Sequence, residues 1–288
     1  MPRYDYWYAN DYHNLNGLLQ SALFTNRLLP DILTGTVFPA IRGRKIDFYL
    51  KGRKLFSFTG QGFKSNIAYL AAFQNRPNGE ITEEVFVNLQ VCESFEDGNT
   101  QIKKNISLYE QPESGGVFKL CKTHSCFMDN FAGPIGVLDI ELSLEANDEE
   151  RSQDRIDLVL FHCETRQLRF FEVKTFANKE IWPTNGHAPV VEQIQRYTQQ
   201  LRQRTDELLV GYKQYVRLMQ RLCGITLPEP DSLDTAVDLL LIGFDTPQLN
   251  TIQNVLLPAF GNLFRSCLIG GPQRARQETL ATWWGNRQ

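Results

Sequence analysis

Several features that would announce a class of protein are missing from this sequence. There is no excess of basic charge: 30 Lys and Arg stand against 33 Asp and Glu, for a net charge of -3. A strongly basic chain would point to a nucleic-acid partner by composition alone. An acidic balance is a weak exclusion, because carboxylates gathered around a metal can coexist with a basic track. There is no dense cysteine framework. Cys92, Cys121, Cys126, Cys163, Cys223 and Cys267 are scattered, which excludes a disulfide-stapled scaffold and points to a reducing, intracellular setting. The segment CKTHSC offers Cys121, His124 and Cys126 without a fourth ligand, so structural zinc is not expected. No apolar run approaches the roughly 18 residues of a membrane span; the best, Ala236 to Phe244, is broken by Asp238. The opening MPRYDYWYANDY has no apolar signal core, and the expectation is a soluble, cytoplasmic protein with no membrane partner. No G-x-x-x-x-G-K-[ST] loop is present, which argues against an ATP-driven enzyme. Repeats and low-complexity tracts are absent too.

What is present reads as a globular chain: 42% apolar and 22% charged residues over 288 positions suffice for a core without staples. Residues 1–78 form an N-terminal section. It starts aromatic (Tyr4, Tyr6, Trp7, Tyr8, Tyr12) and continues through IRGRKIDFYLKGRKLFSF, two strands around the turn Lys51-Gly52. RPNG at Arg76 to Gly79 is the clearest breakpoint. Residues 79–288 read as the second domain. In ITEEVFVNLQVCESF, apolar Val85, Leu89 and Cys92 predict an amphipathic helix. GVLDIELSL predicts a strand, EANDEERSQD a loop, and RIDLVLF and LRFFEVKTF two strands joined by HCETRQ. One long helix or two in succession follow from Pro189 to Leu222, then the strand AVDLLLIGF and the helix TPQLNTIQNVLLPAF. This order implies an α/β fold, with a mixed central sheet flanked by helices and an additional N-terminal section.

Side chains alternate across a strand, so Glu172 and Lys174 share one face and Val173 takes the other. If the turn between the two strands centres on Glu164 and Thr165, Cys163 faces Arg166 and Asp157 falls opposite Glu172. A slip of two residues sets Asp157 opposite Lys174 instead. In both registers three ionisable groups share a face. Opposed side chains on paired strands stand roughly 5 Å apart at Cβ, a spacing at which two carboxylates can share a divalent ion. Two acids alone on a half-buried face repel and lose solvation; a hard cation removes that cost. Magnesium binds carboxylates at about 2.1 Å and keeps waters, leaving room for a phosphate and a nucleophile. Lys174 adds a compact positive charge that can position or deprotonate that water. Downstream, Gln193 and Tyr197 in EQIQRYTQQL lie four apart on one helical face.

RIDLVLF, FFEVKTF and QIQRY, in that order and spacing, resemble the PD-(D/E)XK nuclease superfamily, and within it the Q-x-x-x-Y branch that includes lambda exonuclease and RecB-type nuclease domains. The resemblance covers roughly residues 80 to 260. It implies a restriction-endonuclease-like core and a metal-dependent hydrolase of DNA phosphodiester bonds, in phage defence or DNA repair. It implies Asp157 and Glu172 as metal ligands, the carbonyl of Val173 as a further ligand and Lys174 as the catalytic lysine. Gln193 and Tyr197 would contact the active site or the substrate phosphate, and Mg2+ would be the cofactor, with Mn2+ able to substitute. Relatives often add a Glu from the helix before the sheet; Glu83, Glu84 and Glu93 are candidates, and Glu84 is preferred. Some relatives carry an iron–sulphur cluster, but only Cys223 and Cys267 follow the Q-x-x-x-Y segment, far apart, and no cluster is expected.

Candidate substrate contacts are the basic residues Arg42, Arg44, Lys45, Lys51, Arg53 and Lys54, which either track a phosphate backbone or guard an exposed edge hairpin. Arg196, Arg202 and Arg204 can extend a path from the Gln193–Tyr197 segment. Trp283 and Trp284 near the C-terminus either stack on bases or pack on the core. DNA is the expected partner and RNA the second candidate, with a protein partner or self-association also open. The competing reading is a catalytically silent nucleic-acid-binding or assembly subunit with a nuclease-like fold; a hydrolase of mononucleotides is the third.

Overall fold

The computed structural model describes residues 5–69, 79–88, 93–144, 155–184 and 186–285. Tyr4, most of the RPNG breakpoint, the helix positions Leu89 and Cys92, and the acidic run 145–154 lie outside them. The fold is α/β, with two five-stranded sheets and flanking helices. The chain groups into two compact units, one of residues 1–131 with 214–227, the other of 132–213 with 228–288. The units thus divide after Phe131, whereas sequence reading divides the chain after residue 78.

The first unit contains α1 (Asp5–Leu19), α2 (Leu29–Leu33) and an antiparallel sheet of β1 (Phe38–Arg42), β2 (Lys45–Leu50), β3 (Arg53–Phe58), β4 (Phe63–Asn66) and β5 (Glu80–Thr82), in that spatial order. Three helices follow: α3 (Glu83–Asn88), α4 (Phe95–Ile106) and α5 (Pro112–His124). The hairpin expected around Lys51-Gly52 is β2–β3, with Leu50 opposite Arg53. Both turn residues have positive φ, 53° and 73°, the two-residue turn whose twist suits paired strands. This hairpin is interior to the sheet, not an edge, so the edge-guarding explanation of its charges does not hold. Its aromatic residues build the core: Phe48 and Phe56 each meet Phe63 of β4, and Phe95 of α4 meets Phe56.

The helix expected over residues 81–95 is corrected. Ile81 and Thr82 pair with β4 as part of β5, in keeping with their β-branched side chains. Among the described residues the helix covers Glu83–Asn88, and its buried residue is Phe86, while Val85 is 43% exposed. Ser94 then caps α4, its side chain accepting from the Asp97 N–H.

The second unit is built on a mixed sheet of β6 (Ile135–Ser143), β7 (Arg155–His162), β8 (Gln167–Thr175), β9 (Ser232–Ile242) and β10 (Ser266–Ile269), in the spatial order β10-β9-β8-β7-β6. β6, β7 and β8 are antiparallel neighbours; β8, β9 and β10 run parallel. The parallel step from β8 to β9 requires a crossover. It is made by α6 (Pro189–Gln203) and α7 (Thr205–Cys223), the second of which continues from Gln214 into the first unit. Thr198 of α6 accepts from the Val237 N–H, and Tyr212 of α7 meets Phe170, so the crossover covers the face of β8 that carries residues 170, 172 and 174. After β9 come the short helices α8 (Thr246–Thr251) and α9 (Leu257–Phe260).

The last helix, α10 (Gln277–Gly285), lies on the opposite face, with Trp283 against Phe171. The Gln277 amide holds both backbone groups of Ile135. Buried Arg169 donates to the Trp283 carbonyl at 3.0 Å and stacks 4.5 Å from the Trp284 ring. Of the two roles open to the tryptophan pair, the structure has packing. Asp238, the charge inside an apolar strand, is buried in an ion pair with Arg265. Among the described residues no helix is long and apolar enough to cross a membrane, and Cys121, Cys126, Cys163, Cys223 and Cys267 are free thiols.

Candidate functional site

β7 and β8 pair as the HCETRQ turn requires, with Leu158 opposite Phe171 and His162 opposite Gln167. Extending that register by one residue sets Asp157 across from Glu172, the first of the two registers left open by the sequence. The ladder stops at Leu158, and the Asp157 carboxylate instead accepts from the Val173 N–H at 2.8 Å. Asp157 is half-buried, whereas Glu172 and Lys174 are 2% and 6% exposed. Leu239 and Leu241 of β9 stand beside Glu172 and Lys174 on the same face, so leucines wall one side of the cluster.

Lys174 Nζ lies 2.9 Å from Glu172 Oε1 and 2.5 Å from Glu180 Oε2. Burial alone pulls the Lys174 pKa down, but the Glu172 and Glu180 carboxylates, with Asp157 beyond them, outweigh it and hold the ammonium above the ordinary lysine range. Glu180 is a group that sequence reading missed. It sits on a 3-10 turn, Lys179–Ile181, whose fully buried Ile181 anchors it. No spacing rule connects a β-strand lysine to a glutamate six residues on; only the fold of the intervening turn does.

α6 packs on β9 and on that turn. Its apolar stripe of Val190, Val191, Ile194, Tyr197 and Leu201 is buried, as its periodicity predicts. Gln193 Nε2 donates to Tyr197 Oη at 2.9 Å, and the Arg196 guanidinium lies 5.4 Å from the Tyr197 ring. Tyr197 is buried. Asp139 of β6, also missed, is fully buried and accepts from Tyr212 Oη at 3.2 Å and from the Ile140 N–H. Its only sequence signal is a carboxylate interrupting an apolar strand.

Other expected residues lie in the first unit. Glu84 is exposed on the first turn of α3. Much of the basic cluster is engaged locally: Lys45 with Asp47 at 3.3 Å, Lys54 with Glu80, Lys51 with Ser107, and Arg53 with the Tyr109 carbonyl. Lys54 lowers the Glu80 pKa through their hydrogen bond. Arg44 is exposed in the turn before β2.

Among the described residues no three His, Cys, Asp or Glu side chains gather closely enough to hold an ion by themselves. An ion at Asp157 and Glu172 would be held by two carboxylates, a main-chain carbonyl and water. That all-oxygen set fits magnesium, which takes one or two carboxylates and keeps its waters, and does not fit zinc, which favours nitrogen and sulfur. The cluster already draws a cation, Lys174, to the same carboxylate. Comparison of the chain with protein-family models, curated proteins and solved structures gives no match.

Proposed function

We propose that this chain is a divalent-metal-dependent nuclease that hydrolyses DNA phosphodiester bonds, with a restriction-endonuclease-like core in its second unit. The observation that carries the reading is the register of β7 on β8, which, continued one residue past Leu158, brings Asp157 across from Glu172 with Lys174 one pleat further on. Two carboxylates and an ammonium on one sheet face, walled by leucines, suit a reaction that brings a phosphate to a divalent ion.

In this reading Asp157 and Glu172, with the Val173 carbonyl, hold Mg2+ or Mn2+. Held there, the ion would supply an acidified water and neutralise charge on the phosphate. The Asp157 side chain is fixed by the Val173 N–H, so the ligand does not have to be ordered when the ion arrives. Lys174 acts as an ammonium. It lies within hydrogen-bond reach of Glu172 and Glu180, donates hydrogen bonds and offsets negative charge growing on the phosphate. The leucines of β9 exclude water from one side and strengthen those charge interactions. Gln193 and Tyr197 orient one another on α6 and offer an amide and a hydroxyl to the substrate phosphate. Arg44 and Arg196 are the first candidates to meet the DNA backbone.

The test uses linear and circular, single- and double-stranded DNA, and RNA, each with Mg2+, Mn2+ or EDTA, beside Lys174→Ala. Cleavage that requires both the metal and Lys174 supports the reading, and the circular substrates separate endonuclease from exonuclease. Binding without cleavage in every condition would leave a silent nucleic-acid-binding subunit, and turnover of mononucleotides alone a different hydrolase.

A further inference from the structure

The Lys174 ammonium stands between two carboxylates, Glu172 on its own strand and Glu180 on the turn beyond the strand. The turn is firmly built. Asn178 Oδ1 accepts from the Glu180 N–H at 2.8 Å, Trp182 Nε1 donates to the Phe176 carbonyl at 3.1 Å, and the Phe176 and Trp182 rings meet edge to face at 5.0 Å. Glu180 itself is half exposed, and the three donors of an ammonium let Lys174 hold this second carboxylate beside Glu172.

Three carboxylates, Asp157, Glu172 and Glu180, act on the one ammonium, an excess of acidic over basic groups that a divalent ion can offset. If Glu172 were the only carboxylate at Lys174, an arriving ion would have to displace the ammonium into a leucine-walled face with nothing to receive it. A buried charge without a partner is strongly disfavoured. Glu180 is within reach as the receiver.

We propose that Glu180 is a positioning residue that takes over the Lys174 ammonium when a divalent ion claims Glu172, so that ion and ammonium stand side by side and do not compete for one carboxylate. This inference rests on the nuclease reading of the same cluster. It differs from a role of Glu180 as a metal ligand, because it makes the effect of Glu180 on metal binding depend wholly on Lys174.

The experiment is a double-mutant cycle on Mn2+ binding, read by titration calorimetry and by the electron paramagnetic resonance of free Mn2+, with no substrate present. The proteins are the wild type, Glu180→Gln, Lys174→Met and the double variant. Far-UV circular dichroism confirms that each is folded, and the exposed, isosteric Glu180→Gln change removes charge alone. Glu180→Gln is expected to bind Mn2+ about tenfold more weakly, the scale of losing a group that orients a ligand. In the Lys174→Met background the same change is expected to alter affinity by less than about twofold, since the two effects then share one cause. Equal affinities of wild type and Glu180→Gln overturn the inference, and so does an equal loss in both backgrounds, which would make Glu180 a ligand or a remote charge. Wild-type protein that binds no Mn2+ overturns the nuclease reading as well, whereas binding without the coupling overturns this inference alone.

Discussion

Removing the Lys174 ammonium would leave Glu172, 2% exposed, facing Asp157 and Glu180 with no cation between them. Losing one partner of a buried pair is more costly than losing both. Lys174→Met is therefore expected to destabilise the metal-free protein by about 3 kcal/mol, measured by urea denaturation in EDTA. Added Mg2+ should recover more stability in the variant than in the wild type, because the ion supplies the missing charge and binds only the folded state. His162 gives a second residue-scale prediction. Burial, beside Trp284, lowers its pKa, with Arg169 adding to the effect and Glu164 opposing it. A base whose folded pKa is depressed contributes fully above its unfolded pKa, and the contribution is lost as pH falls through the folded value. Stability should thus fall between neutral pH and about pH 5, and His162→Gln should flatten that part of the profile in denaturation experiments at each pH. The shared face of Asp157, Glu172 and Lys174 was legible in the sequence because strand alternation is strict, and both registers that the HCETRQ turn allows keep the three together. Glu180 and Asp139 were not. Their roles depend on a turn that folds back and on a helix laid over the sheet, and no local periodicity encodes either.

Two turns and one helix carry the predictions at the scale of elements. Gly43 and Gly52 both have positive φ, 54° and 73°, yet a Cβ on Gly43 meets nothing within 4 Å while one on Gly52 would lie 2.3 Å from the Ser114 carbonyl carbon. Alanine at either position bears the left-handed strain, of order 1 kcal/mol; only at Gly52 must a packed backbone also move. Gly52→Ala should therefore lower the urea midpoint well beyond Gly43→Ala, and equal effects would show that the Ser114 backbone yields freely. The helix is α10. Trp283 is buried against Phe171, and its carbonyl satisfies Arg169. Trp283→Ala should cost about 3–5 kcal/mol, with accompanying loss of near-ultraviolet dichroism and unchanged secondary structure in the rest of the sheet. The strands and the crossover helices of the second unit could be read from apolar runs and breakers. α10 and β10 could not, since their segments are short and each is fixed by tertiary partners, Arg169 and Ile135 for one and the edge of β9 for the other.

At the scale of the whole molecule, chain order and compact units do not coincide. The RPNG punctuation suggested a boundary after residue 78, but β5, which begins at Glu80, pairs with β4. Strands on either side of that point in the chain pair in one sheet, so a breakpoint in sequence does not by itself separate compact units. The first unit also takes residues 214–227 from far along the chain, bringing fully buried Tyr215, Leu218 and Met219 into it, with Tyr215 against Phe127. Tyr8 donates to the Gln214 carbonyl, and Arg221 stacks on Tyr12. A fragment of residues 1–131 would lack these groups and expose the apolar surface they cover. The expected outcome is a fragment that binds a hydrophobic dye, shows no cooperative unfolding and has weak near-ultraviolet dichroism, the signs of a collapsed chain without fixed packing. A peptide of residues 214–227, added in excess, should restore cooperativity in proportion to its concentration, as any ligand of the folded state does. A fragment that unfolds cooperatively without the peptide would show that the returning helix segment decorates the first unit and is not part of its core.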